Sequence, residues 1–287
     1  MTDTELSPST AAYRLTHILN ALCAAHSLAR FPVDITTLAR EAANIFHWQD
    51  PISQVEAADI QRFEGALYPN GDGSKWVLLY NSSLSSPGRI RFTQAHELGH
   101  YILHRHRRHS FECSEADMIN LLDDEASIEV QADIFASTLL MPLDDFRRVM
   151  PPHVDFEALG VAAERYGVSL TAATLRWLKH TSTSAVVVVH RDGFINWAFS
   201  SNSAFENGAF FKTRNRVLAI PNGSLASDLD VAHDRQGIEV PATVWFPYAS
   251  SDVAVREMKI SSDQYDWIMS LIVLPRGLSV WKPREYG

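Results

Sequence analysis

The feature that most constrains this chain is the five-residue run His96-Glu97-Leu98-Gly99-His100. Two histidines four positions apart lie one turn apart on one face of an α-helix, so both imidazoles can reach a single cation. A glutamate directly after the first histidine can take a proton from a water molecule beside that cation. The run therefore predicts a helix that carries two metal ligands, His96 and His100, and a general base, Glu97.

A catalytic zinc site needs a third protein ligand and leaves a fourth position for water. His104 lies four residues beyond His100, but an uninterrupted helix carries it about 12 Å along the axis from His96, which disfavours joint coordination. His106 has the spacing of the metzincin type of zinc protease, whose helix-breaking glycine would fall at Leu103. Both alternatives are weaker than an acidic residue on a second helix.

Glu129 is the preferred third ligand, on a helix predicted from about Ala126 to Met141. Asp133 lies one turn further along the same face. It can accept a hydrogen bond from the free ring N–H of a ligating histidine and so hold that ring in place. A solvated acidic pair at this spacing is common, and the upstream motif is what favours the metal interpretation. Two imidazoles and one carboxylate predict Zn²⁺, and such ligands also accept Mn²⁺ or iron.

A β-hairpin is predicted immediately before the motif helix, with strands at 60–68 and 75–81 and a turn signal at 70–73. We expect the second strand to be an edge to which a substrate backbone adds as a further strand. The residues expected to contact substrate are Val77, Leu78, Leu79 and Tyr80. The donor that stabilises an oxyanion stays open among Tyr68, Tyr80, Tyr101, His104 and His106.

The predicted fold class is α+β with three segments. Residues 1–150 are expected to form a helical domain with a small antiparallel sheet, and 151–182 have the rhythm of a helix-turn-helix. Charge in that middle segment is balanced, which favours a structural support over a DNA-reading element. From 183 the hydrophobic period changes to two, so 183–287 are predicted to be β-rich, beginning with a hairpin around an Asp-Gly turn.

Composition limits the classes of partner and compartment. The formal net charge of −9 argues against a broad electrostatic grip on nucleic acid. The chain contains two cysteines, which fits a reducing compartment. The start of the chain is polar and acidic, unlike a signal peptide, and no run reaches the ~18–20 apolar residues of a membrane span. We expect a cytoplasmic protein that contacts neither membrane nor nucleic acid directly; its oligomeric state stays open.

The segments RFTQAHELGHYILH and EVQADIFASTLLMP together resemble the ImmA/IrrE family of metallo-endopeptidases, within the gluzincin type of zinc protease. The resemblance covers about residues 10–180. It implies a zincin-like peptidase fold, a middle segment like a helix-turn-helix and a GAF-like C-terminal sensor domain. It also implies roles at the motif positions: metal ligation by His96, His100 and Glu129, general base catalysis by Glu97, and orientation of a histidine by Asp133.

The same resemblance implies a function. Substrates of the family are commonly Xre-type helix-turn-helix repressors, whose cleavage derepresses stress, DNA-damage or mobile-element genes. Two alternatives stay open: a DNA-binding transcription regulator with a structural metal, and a repressor-binding protein without turnover. The intact Glu97 counts against the second alternative, because a pure binder has no chemical need of this residue.

Overall fold

The computed structural model describes residues 6–60, 62–84, 86–108, 110–113, 127–262 and 266–282. The chain divides into two compact units, Met1–Val149 with Ala162–Ser169, and Met150–Val161 with Leu170–Gly287. Helices and two sheets are present, which confirms the α+β class. Within the described ranges, no helix has both the length and the apolar character that crossing a membrane requires. The proposed boundaries at 150 and 182 stay predictions.

The first unit combines helices with a four-stranded sheet. Helix α6 (Phe156–Tyr166) has residues in both units. The other elements of the first unit are α1 (Pro8–His26), α2 (Ile35–Phe46), β1 (Ile52–Ala58), β2 (Gly65–Pro69), β3 (Trp76–Asn81), α3 (Pro87–His104), β4 (Phe111–Cys113), α4 (Ile128–Leu140) and α5 (Leu143–Val149).

The sheet has the order β1-β3-β2-β4. Strands β2 and β3 pair antiparallel, with Leu67 opposite Leu78, so the predicted hairpin is confirmed. Strand β4 is antiparallel to β2, whereas β1, which the sequence analysis did not predict, runs parallel to β3. The sheet is therefore mixed and not wholly antiparallel, because the strand that precedes the hairpin in the chain pairs with β3 and not with β2.

The expectation that β3 is an edge strand is wrong. Its residues pair with β1 on one side and with β2 on the other. Backbone groups already bonded on both sides cannot accept a further strand, so the reason for assigning a substrate contact is lost. This correction applies to all four residues of that assignment: Val77, Leu78, Leu79 and Tyr80.

Local capping explains where the two helices of the candidate site begin. Ser86 is the N-cap of α3, where its hydroxyl accepts a hydrogen bond from the backbone N–H of Arg89. Pro87 follows at the first helical position, where the missing N–H costs nothing. Helix α4 has Ser127 as its N-cap, and the hydroxyl accepts from the backbone N–H of Glu129 at 3.3 Å. The sequence therefore specifies both starting points locally.

The second unit is built on an antiparallel sheet of five strands: β5 (Ala185–Arg191), β6 (Phe194–Ser200), β7 (His233–Pro241), β8 (Ala254–Ser262) and β9 (Trp267–Val273). Their order in the sheet is β6-β5-β9-β8-β7. The predicted hairpin is confirmed, and its turn residues Asp192 and Gly193 have φ values of 52° and 77°, as the tight turn requires. The helix-turn-helix-like and GAF-like identities stay predictions. The other elements of the second unit are α7 (Leu170–His180), α8 (Asn202–Glu206), a 3₁₀ turn (Leu225–Ser227) and α9 (Ala242–Trp245).

His190 on β5 predicts a pH dependence of stability. It is buried in the second unit, and neither ring nitrogen has a hydrogen-bond partner in the part of the chain that the structure describes. Burial, followed by the charge of Lys259, lowers the pKa of His190 to about 4, against about 6.5 when unfolded. The part of the free energy of unfolding that depends on the neutral ring is therefore fully present above pH ~6.5. On acidification to pH ~4.5, the free energy of unfolding falls by about 2–3 kcal/mol.

The measurement is denaturant unfolding of the whole chain between pH 7 and pH 4.5. We expect His190→Gln to lose less free energy of unfolding over this interval than the unsubstituted chain. The matched control is His153→Gln, which changes an exposed histidine of the same unit. An unchanged pH dependence in His190→Gln would mean that the ring is not held neutral by the fold.

Candidate metal centre

Three side-chain atoms from two helices converge at one point of the first unit. Nε2 of His96 lies 3.0 Å from Nε2 of His100, and Oε2 of Glu129 lies 3.2 Å and 3.1 Å from these two nitrogens. Ligands ~2.0–2.1 Å from one tetrahedral ion are about 3.3 Å apart. These three residues form a group that could hold a metal ion. The triangle has the dimensions of one face of a zinc site.

The proton positions also fit a cation. Nδ1 of His96 lies 2.8 Å from Oδ1 of Asp133, and a carboxylate can only accept a hydrogen bond. A neutral His96, the form that binds a metal, therefore carries its ring hydrogen on Nδ1 and directs the lone pair of Nε2 towards Glu129. A lone pair and a carboxylate oxygen at 3.2 Å repel each other unless a cation lies between them. The donor set thus fits a divalent ion with nitrogen and oxygen ligands.

The electrostatics of the ligand side chains agree with this reading. Burial lowers the pKa of His100 to about 4, so its imidazole is neutral at physiological pH, as a metal ligand must be. Glu129 lies in the first turn of α4, where the helix dipole favours a negative charge.

Close approach of two backbones makes this convergence possible. A Cβ added at Gly99 would lie 3.0 Å from Cδ1 of Phe135 and 3.2 Å from the Cα of Ala132. A larger side chain would push α3 away from α4, because protein interiors leave no spare volume for it. The glycine inside the motif and the alanine of α4 therefore allow a carboxylate on one helix to reach two histidines on the other.

Glu97 lies beside the triangle, on α3. The residue is fully buried, and neither carboxyl oxygen has a hydrogen-bond partner among the described residues. Burial raises the pKa of Glu97 to about 8, with His96 lowering it and Glu129 raising it further. The positive charge of a bound ion would lower this pKa and favour the carboxylate that a general base needs. A buried carboxyl without partners is costly unless water, substrate or an ion meets it. Its position next to three converging ligands is the arrangement that a general base requires.

Gly65 on β2 packs directly against this carboxyl. A Cβ at Gly65 would lie 2.6 Å from Oε1 of Glu97 and 2.6 Å from Cγ2 of Thr93. We expect Gly65→Ala to displace the Glu97 carboxylate and to slow the peptide hydrolysis predicted from the sequence about 10-fold or more, since small misplacements of a catalytic group are costly. Metal content should not change. The checks are a peptidase assay and metal analysis; Gly71→Ala, at a position with open space around it, is the control.

Asp133 is expected to govern the affinity of the site for metal. It is buried and bonded to His96, and loss of such a supporting partner typically weakens metal binding 10–100-fold. We expect Asp133→Ala to show this loss and Asp133→Asn a smaller one, because the amide oxygen can still accept the bond. Competition with a zinc chelator measures both. Equal affinity in Asp133→Ala and the unsubstituted chain would rule out the orienting role.

The structure does not bring the other sequence candidates into the triangle. His104 is buried, with Nδ1 facing Nδ1 of His100, and His106 is exposed. Tyr101 donates its hydroxyl to the carbonyl of Asp50. Tyr80 is partly buried on β3. These positions weaken the case for His104 and Tyr101 as donors to an oxyanion.

Tyr68, the remaining candidate donor, donates its hydroxyl to Oε1 of Glu112 at 2.7 Å. Burial, this hydrogen bond and the charges of Glu112 and Glu97 raise the pKa of Tyr68 to about 12. A phenol that stays protonated can donate a hydrogen bond at neutral pH.

Sequence reasoning did not anticipate Gln131, which contacts His104, because no sequence spacing links the two residues.

Comparison with known protein families agrees with the geometry. Residues 53–178 match the model of a peptidase family described as the IrrE N-terminal-like domain. The matched range contains all the residues of the triangle, together with Glu97 and Asp133. No curated protein matches the chain. The roles of the individual residues stay predictions, which the variants described here test.

Proposed function

Since residues 53–178 are a domain of the ImmA/IrrE family of metallopeptidases, we propose that this protein is a zinc-dependent endopeptidase of the gluzincin type. The observation that carries the proposal is the triangle of His96, His100 and Glu129 beside the buried carboxyl of Glu97. A site that only held a structural metal would use four protein ligands and would have no need of an unpartnered acid beside it.

In the proposed reaction, the metal ligands, Glu97 and Asp133 have separate roles. A divalent ion, when bound by His96, His100 and Glu129, would polarise the scissile carbonyl and acidify water. Glu97 takes a proton from the attacking water at its carboxylate and then delivers it to the nitrogen of the leaving amine. Asp133 holds the ring of His96 through Nδ1. Peptide hydrolysis needs no further co-reactant.

Strand β4 is the better candidate for contact with the substrate backbone. It is the last strand in the order β1-β3-β2-β4, so among the described strands it has a partner on one side. The ring of Phe111 on β4 stacks on the ring of His100, with centroids 4.6 Å apart. A peptide added beside β4 would therefore run close to the candidate metal ligands.

The proposed substrate is an Xre-type helix-turn-helix repressor in the cytoplasm, whose cleavage would derepress stress, DNA-damage or mobile-element genes. The support for this class is the resemblance of the motif segments to a family that acts on such repressors. In this proposal the β-rich second unit regulates the peptidase. The acidic net charge of −9 is consistent with a protein substrate as the main partner.

In the test, the full chain with stoichiometric zinc is incubated with Xre-type repressors, beginning with any that a neighbouring gene encodes. Mass spectrometry would identify a new amino terminus in the repressor. We expect cleavage that stops on chelation and returns when zinc is restored. A stable complex with uncut repressor would favour the non-catalytic binder, and tight, salt-sensitive binding of duplex DNA without cleavage would favour the transcription regulator.

A further inference from the structure

A third histidine of α3 lies behind the candidate metal ligands. His104 is 1% exposed and is one turn beyond His100. Its Nδ1 lies 3.1 Å from Nδ1 of His100, and its Nε2 lies 3.0 Å from Oε1 of Gln131 on α4. The ring of Phe111 packs over the imidazoles of both histidines. A chain of hydrogen-bonding groups thus runs from Gln131 through His104 to His100.

The direction of this chain follows from the donors and acceptors. An amide oxygen accepts, so Nε2 of His104 carries the hydrogen that it donates to Gln131. The neutral ring of His104 then offers a lone pair at Nδ1, which accepts a hydrogen from Nδ1 of His100. Nε2 of His100 is left with its lone pair, and this is the atom that faces Glu129.

We propose that His104 and Gln131 are positioning residues that set the tautomer and the ring orientation of His100. They would do for His100 what Asp133 does for His96, with a neutral imidazole and amide in place of a carboxylate. His104, which the sequence analysis considered as a metal ligand, would thus act through another ligand. The inference rests on the proposed function in one respect, since it takes the triangle to be a metal site.

The orientation of the Gln131 side-chain amide decides which nitrogen of His104 and of His100 carries the ring hydrogen. If Gln131 donated through its NH₂ group, each hydrogen in the chain would reverse, and Nε2 of His100 would carry a hydrogen towards Glu129. That tautomer cannot bind a cation at Nε2. Gln131→Glu removes the donor and keeps the acceptor, so it preserves hydrogen on Nε2 of His104 and on Nδ1 of His100. Gln131→Met removes both at a similar side-chain length.

The experiment measures zinc affinity of the full chain by competition with a chelator. We expect His104→Phe and Gln131→Met to weaken zinc binding about 10–100-fold, and Gln131→Glu to bind at least as tightly as the unsubstituted chain. The control is His26→Phe, the same substitution at an exposed histidine of α1 in the same unit. Circular dichroism of each variant checks that the fold is retained.

Nitrogen-15 NMR of the zinc-loaded chain supplies a second readout, because it distinguishes a ring with hydrogen on Nδ1 from one with hydrogen on Nε2. We expect hydrogen on Nδ1 of His100. Unchanged affinity in both His104→Phe and Gln131→Met would overturn the proposed role of His104 and Gln131 while leaving the metal site intact. Hydrogen on Nε2 of His100 would overturn that role and would also remove this nitrogen from the ligands of the ion. An unsubstituted chain that does not bind zinc would overturn the proposed function itself.

Discussion

Replacement of Glu97 with glutamine is expected to leave zinc binding unchanged and to slow cleavage of the proposed substrate about 1,000-fold. Glutamine has nearly the same volume, so the buried position beside the triangle stays filled. Its amide cannot accept the proton that the attacking water must lose, and positioned proton transfer contributes about 10²–10⁴-fold to such reactions. The measurements are zinc per chain by elemental analysis and the cleavage rate at saturating zinc.

Glu41→Gln is the matched control, because it makes the same substitution at an exposed position on α2. It should cleave at the rate of the unsubstituted chain. Full activity in Glu97→Gln with stoichiometric zinc would show that another group moves the proton. Loss of zinc from Glu97→Gln would instead place this carboxyl among the groups that hold the ion, and the division of roles proposed here would fail.

Glu129→Gln is expected to weaken zinc binding more than about 100-fold and to abolish cleavage at low zinc. The carboxylate is the single anionic member of the triangle, and its Oε2 lies within 3.2 Å of both histidine Nε2 atoms. Loss of a partner that only supports a ligand costs 10–100-fold, so loss of charge on a ligand itself should cost more. The side chain is 24% exposed, which limits the effect on folding.

Competition with a chelator measures the affinity, and cleavage at increasing zinc shows whether activity returns when the ion is supplied in excess. Glu41→Gln serves again as the control. Zinc affinity equal to that of the unsubstituted chain would mean that the third ligand is not Glu129. His104 and His106, the alternatives that the sequence spacing left open, would then need to be tested by the same titration.

Local patterns predicted much of the fold because they act over a few residues. The alternating strands and the Asp192-Gly193 turn were predicted because they specify geometry within one element or one hairpin. The caps at Ser86 and Ser127 act over an equally short range, although the sequence analysis did not assign them. The neighbours of a strand in a sheet are different, since they depend on pairing with segments outside the strand's own hairpin. β1 joins the outer side of β3 in parallel, and this long-range pairing made the edge prediction wrong.

The candidate site divides in the same way. The sequence by itself determined that His96 and His100 share one face of a helix, because 3.6 residues per turn brings positions i and i+4 together. The sequence favoured Glu129 as the third ligand, but only the tertiary structure decided that its carboxylate meets the two histidines, through the close backbone approach at Gly99. The tertiary structure also decided that His104 contacts Gln131 behind the site. Helix periodicity is local, whereas the distance between two helices depends on packing across the whole core.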